Sequence, residues 1–281
     1  GVYEHYKYTK SEKFLKDNLK MCEKAIDFLK KYLKDWLNIE GTEERDKDKV
    51  QEEIENSVNR QGHKYHISYD LWEMNEGIHL YSLASIYSAF DSILNIYKAL
   101  GKNVSEFENN RLKEEKIQKN KRTIENLQTQ LKKYINENLY DEEKKSYVRN
   151  TEDRKMDISI LGAITPFNMF KPKEKKIRNT VERINMSLRT YTGGYQRFEQ
   201  DNYMNGNPWP IANLWMTLYY LETGEKKKAK EAFDFVVKTA GKHYLLGEQV
   251  NNETLKPNWV IGLGWSHAMF LIVLEKLYGD K

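Results

Sequence analysis

Two short segments hold the residues best suited to chemistry: Tyr69-Asp70-Leu71-Trp72-Glu73 and, far downstream, Leu246-Gly247-Glu248-Gln249. Each sets a carboxylate beside an aromatic or amide side chain. Two carboxyl groups on opposite sides of a glycosidic bond can divide the work of its hydrolysis. One gives a proton to the leaving oxygen, and the other activates water. Glu73 and Glu248 lie so far apart in the chain that only the fold can unite them.

Each carboxylate also has a plain structural explanation. Asp70 can cap a helix starting at Leu71, which places Glu73 at the third helical position in the form of a capping box. A helix N-terminus favours the charged carboxylate, whereas burial beside Trp72 would favour the proton a general acid needs. Glu248 reads as a loop residue between two helices, with Gln249 available to order water or bind a hydroxyl. A third segment, Gly193 through Tyr203, combines two glycines that permit tight turns with Arg197, Gln200 and Asp201, whose polar groups suit sugar hydroxyls. Asn205-Gly206-Asn207-Pro208-Trp209 then leads into a helix near Pro210. Tyr195, Trp209 and Trp265 are candidates for an aromatic wall, with core packing as the competing role.

The elements that must position these groups read as helices. Apolar residues from Phe14 to Leu33 recur at helical spacing and predict a helix over 12–38. A second is expected from Leu71 to Leu100, ending at Gly101. A third over 105–138 carries the thin stripe Ile117, Ile124, Leu127, Leu131 and Ile135. Further helices are expected near 156–168, 174–190, 208–223, 226–241 and 264–278. Strand-like alternation is scarce, so the fold class is all-α, with apolar stripes packed on one another. No linker rich in Pro, Gly or Ser divides the chain, so one domain over 1–281 is expected. Residues 41–61 are almost wholly polar and read as an insertion within it.

Composition removes several classes of function. Hydrophobic residues make up 39% of the 281, enough for an interior, so a disordered chain is excluded. Cys22 is the single cysteine, which rules out an intrachain disulfide. The net charge of +4 arises from lysines interleaved with glutamates on helical faces, a solvated pattern rather than a nucleic-acid surface. No phosphate-binding glycine loop or Cys/His metal spacing occurs. Glu76 and His79 lack the second histidine of a metal helix, and His63 and His66 stand in a polar stretch. His267 reads as a buried hydrogen-bonding residue. No secretory leader or bilayer-spanning run is visible, so a cytoplasmic location is the expectation, subject to a natural start upstream of Gly1.

Together these segments resemble the glucoamylase family of inverting glycoside hydrolases. Tyr69-Asp70-Leu71-Trp72-Glu73 resembles the family's catalytic-acid segment. Gly194 through Trp209, with Arg197, Asp201, Tyr203, Asn207 and Pro208, resembles its sugar-binding segment. Leu246-Gly247-Glu248-Gln249 resembles the catalytic-base segment, and Gly264-Trp265-Ser266-His267-Ala268 the start of its last barrel helix. The resemblance runs from about residue 12 to the C-terminus, in family order. It implies an α/α toroid of the (α/α)6 barrel type, incomplete in this chain, that releases glucose from the non-reducing ends of α-glucans or oligosaccharides. Glu73 maps to the general acid, Glu248 to the general base and Arg197 to a residue holding the terminal sugar. Trp72, Trp209 and Trp265 map to the aromatic surroundings. No cofactor or metal is implied.

Three departures qualify this expectation. Met74 stands where the family commonly has a second acidic residue, and Gln200 where it often has glutamate. The family barrel also has helices before the region resembling 12–38, which contribute to the terminal-sugar pocket. An open flank would call for an N-terminal partner segment or an oligomer, and weak or no activity of these 281 residues alone is the matching expectation. The resemblance leaves trehalose and α-1,6-glucans open as substrates, and also a non-catalytic carbohydrate-binding or assembly protein.

Overall fold

The computed structural model describes residues 1–37, 68–101 and 110–279. The polar insertion expected at 41–61, His63, His66 and the expected helix start at 105–109 lie outside the described residues. The chain separates into two compact units, one of residues 1–68 and 82–137 and the other of 69–81 and 138–281.

The first unit is mostly helical in its described residues. It holds α1 (Val2–Thr9), α2 (Glu12–Leu37) and most of α3 (Leu80–Leu100) and α4 (Asn110–Asn138). Residues of the apolar stripes read from sequence line its interior, Leu15, Ile26 and Leu33 on α2 and Ile124, Leu127, Leu131 and Ile135 on α4, joined by Phe90 and Ile93 on α3. Spacings of three and four place each set on one helical face. Polar ties border it: the Tyr97 hydroxyl donates to Glu23 at 3.1 Å, and Lys30 Nζ to Asn120 Oδ1 at 3.2 Å.

The second unit wraps short hairpins around a buried helix. α6 (Pro210–Thr223) starts on a proline, whose missing N–H costs nothing at a first helical position, and stops at Gly224 in the left-handed region. Every residue from Pro210 to Tyr220 is buried. Against α6 pack α7 (Lys226–Lys238), α8 (Gly264–Tyr278) and the 3₁₀ helix Ile158–Ala163, while α5 (Lys175–Leu188) contacts β4. Three two-stranded sheets complete it: β1 (Ser68–Tyr69) with β2 (Glu76–Gly77), β3 (Tyr140–Asp141) with β4 (Ser146–Tyr147), and β5 (Gly247–Val250) with β6 (Pro257–Ile261).

Two expected elements differ, and both bear on the site. The helix expected from Leu71 begins at Leu80, because the Asp70 side chain commits the local N–H groups to a turn. Its Oδ1 accepts from Trp72 N at 3.1 Å and Met74 N at 2.9 Å, and its Oδ2 from Asn75 Nδ2 at 2.6 Å. Such side-chain bonds compete with helix formation. Asp70 therefore caps a hairpin tip, not a capping box. The helix expected over 156–168 is a single 3₁₀ element, whose N-cap Asp157 accepts from Ser159 N at 2.7 Å.

Gly194 shows how tightly the second unit is packed. A Cβ there would come within 2.5 Å of both Phe235 Cζ and Pro208 Cβ. Gly194→Ala should therefore destabilise the protein by about 1–3 kcal/mol, the usual range for overpacking. Urea unfolding reads this directly, and an unchanged midpoint would mean the loop yields freely.

Candidate functional site

Glu73 and Glu248 line one cavity of about 460 Å³, together with Leu71, Trp72, Met74, Arg197, Tyr203, Trp209, Leu263 and Trp265. All of these residues belong to the second unit. Six of the ten residues expected from sequence thus converge: Trp72, Glu73, Arg197, Trp209, Glu248 and Trp265.

Glu73 stands at the tip of the hairpin between β1 and β2. Its backbone is left-handed (φ 57°), an uncommon state for a residue with a side chain, and its N–H donates to Asp70 O at 3.1 Å. The side chain is exposed, and it stands in a hairpin loop where the sequence predicted a helix N-terminus and burial beside Trp72. Behind the tip, Asn75 Oδ1 accepts from the buried Arg149 guanidinium at 3.1 Å, and Arg149 pairs with Asp153.

Glu248 lies on a strand, not in the expected loop. Gly247 pairs with Ile261 and Gln249 with Asn258, so the register shifts across Glu248, and Trp259 on the longer side is left-handed (φ 64°). Bulges of this kind re-aim side chains. Burial pushes the Glu248 carboxyl up, while the Arg197 guanidinium opposes the shift. Glu248 Oε2 and the indole N–H groups of Trp209 and Trp265 are buried without a hydrogen-bond partner among the described residues. They are hydrogen-bonding groups that a polar ligand could engage.

Arg197 is 3% exposed and held by Asp201 in a fork, Nε to Oδ2 and Nη2 to Oδ1, both at 2.8 Å. Its guanidinium also lies 4.6 Å from the Trp209 ring centre, 4.8 Å from Tyr203 and 5.6 Å from Trp72. Trp72 meets Trp209 and Trp265 edge-on at 5.7 and 5.8 Å, which makes a continuous aromatic wall.

The other four expected residues lie outside the cavity lining. Asp201 has both oxygens engaged by Arg197, so it serves that residue instead of facing a ligand. Gln249 is fully buried: Nε2 donates to Tyr203 O at 3.2 Å, and Oε1 accepts from Asn207 at 3.3 Å. Successive strand residues face opposite ways, so Gln249 locks the loop while Glu248 turns to the cavity. Tyr195 borders a different crevice and donates to Asn185 at 2.5 Å. Gln200 is exposed at a left-handed turn. Met74, a departure from the family pattern, does line the cavity. His267 has the hydrogen-bonding role expected, accepting from Leu246 N at 3.1 Å just ahead of Glu248.

Sequence reading did not single out Asp157. It is 1% exposed, and its oxygens accept the Trp72 indole N–H at 3.0 and 3.2 Å. The signal for it was an Asp-x-Ser helix start, which marks a cap but no partner.

A carboxylate pair, a fixed guanidinium and an aromatic wall thus surround one cavity, a concave site in which a ligand can be held. Residues 24–274 match the model of the family described as "Glycosyl hydrolases family 15". The chain belongs to glycosyl hydrolase family 15. An uncharacterized glycosyl hydrolase of Methanocaldococcus jannaschii is 32% identical over 217 residues, 73% of this chain and 33% of that protein. "Trehalase 1" of Sulfolobus acidocaldarius is 27% identical over 136 residues, 48% of this chain and 24% of that protein. A bacterial glucoamylase solved in complex with acarbose superposes with a TM-score of 0.56 at 19% identity, over 73% of this chain and 34% of its own. The fold is thus the all-α class expected, of the (α/α)6 barrel type and matched in part. The chain spans about a third or less of the curated relatives it matches.

The Arg197 fork yields a test of its own. Asp201→Ala leaves a buried cation without its counter-ion, which costs about 3–5 kcal/mol. Denaturant unfolding should show a loss of that size, and a loss under about 1 kcal/mol would show Arg197 to be solvated.

Proposed function

We propose that this chain carries the acid and base of an exo-acting, inverting α-glucoside hydrolase that releases β-glucose from the non-reducing ends of α-glucans or oligosaccharides. The observation carrying this reading is that Glu73 and Glu248 line the same cavity, together with Arg197 and three tryptophans. In this reading Glu73 protonates the glycosidic oxygen as it leaves. Glu248 takes a proton from water, which attacks the anomeric carbon from the opposite face. The Arg197–Asp201 fork leaves Nη1 outside the pair, a donor suited to the hydroxyls of the terminal sugar. Trp72, Trp209 and Trp265 pack its apolar face and exclude water. The exposed Glu73 suits a donor that meets its oxygen only when substrate is bound. The whole chain is read as the C-terminal portion of one such catalytic domain.

The resemblance to a protein named trehalase favours a second substrate, trehalose, on the same machinery. Met74 would lie toward the leaving group, where its apolar side chain replaces a possible carboxylate contact. α-1,6-linked glucans remain within the same reading.

Incubation with maltose, maltotriose, isomaltose and trehalose, with the anomer of released glucose followed by NMR, tests the proposal. Glucose is expected first as the β-anomer, at a rate about 10²–10⁴-fold lower in Glu73→Gln. Glu248→Gln should fall comparably. α-Glucose as first product, or release that survives both substitutions, would contradict the assignment. No release at all, with sugar still bound, would favour an incomplete catalytic domain or a carbohydrate-binding role.

A further inference from the structure

Among the described residues, Trp72 is the one cavity tryptophan whose indole N–H the protein engages; those of Trp209 and Trp265 have no partner there. Its partner, Asp157, is inaccessible and belongs to a strand segment bridged to the one that carries Arg197. Asp157 pairs with Phe198, and Ile158 N donates to Arg197 O at 2.8 Å. Trp72 immediately precedes Glu73 in the loop that joins β1 (Ser68–Tyr69) to β2 (Glu76–Gly77), so the tilt of its ring and the place of Glu73 are not independent.

We propose that Asp157 is a positioning residue: by accepting the Trp72 indole N–H it fixes the ring that walls the cavity and, through it, the hairpin that presents Glu73. The proposal deepens the hydrolase reading, and its effect on turnover rests on that reading. The structural link does not.

Geometry makes the link specific. Both Asp157 oxygens face one N–H, and Oδ1 also receives Ser159 N, so the carboxylate cannot swing away without losing the 3₁₀ cap. The charged groups around it are Arg149 and, beyond Trp72, Arg197, with Glu199 bonded to the adjacent Met156 N. Glu73 and Glu248 lie on the cavity side of Trp72. Burial pushes the Asp157 carboxyl up to about 6, while the bonds from Ser159, the Arg149 charge and the Trp72 bond hold it down. Protonation therefore falls in a range where the folded protein can be observed.

The test is the indole ¹⁵N–¹H spectrum of the full chain labelled at its 6 tryptophans, with Trp72→Phe assigning the Trp72 signal. The Trp72 resonance should shift between pH 5 and 7, and this titration should persist in Glu248→Gln and disappear in Asp157→Asn. In maltose assays Asp157→Asn should lower kcat about ten- to a hundred-fold with a smaller change in KM, as a misplaced acid requires. A Trp72 signal that does not move in the wild-type protein overturns the proposal, as does a titration abolished by Glu248→Gln. Should Asp157→Asn fail to fold, the wild-type and Glu248→Gln titrations decide. The spectrum needs no turnover, so the link stands or falls on its own whether or not these 281 residues release glucose.

Discussion

The buried Arg197–Asp201 pair is the constraint around which the site is built. A guanidinium at 3% exposure is tolerable only with its charge neutralised and its donors engaged. Asp201 supplies both within four residues, and Tyr203, Trp209 and Trp72 supply aromatic faces. The tight turn after Asp201 follows from this. Gly206 is left-handed there, and a Cβ on it would strike Asp201 O at 2.3 Å. Asn207 and Gln249 then tie the turn to the strand carrying Glu248. One ion pair thus links the 197–207 segment to the strand carrying Glu248, and its aromatic cage reaches the hairpin that carries Glu73.

The two carboxylates are held in opposite ways. Glu73 projects from a strained hairpin tip whose stability lies behind it, in Asp70, Asn75 and Arg149. Glu248 sits on a bulged strand, partly withdrawn from water and in the field of Arg197. An acid that must reach a leaving oxygen gains from exposure at a rigid tip. Burial outweighs the Arg197 charge at Glu248, so its carboxyl lies above its ordinary value.

The helices were legible because their apolar residues keep a strict period; α8 spans the 264–278 expected. The site elements were not. Asp70-x-x-Glu73 reads equally well as a capping box or an Asx turn, and what decides is Asn75 and Arg149, the latter 79 positions beyond Asp70 (149 − 70). The strand at Glu248 depends on a left-handed Trp259, which no residue type announces. Asp201 and Gln249 were expected to face sugar because polar side chains in a sugar-binding segment suggest ligands. Their protein partners, Arg197 and the Tyr203 carbonyl, consumed that capacity. Asp157 was missed because a buried carboxylate serving an indole leaves no local pattern.

A crystal structure of the chain with a non-hydrolysable glucose-derived inhibitor bound tests the central claim most directly, through the separation of the Glu73 and Glu248 carboxyl groups across the sugar. The account predicts the sugar against Trp72 and Arg197, with the carboxyls roughly 6.5–9.5 Å apart and a water beside Glu248. A sugar bound elsewhere, or a separation well outside that range with sugar in place, would contradict it.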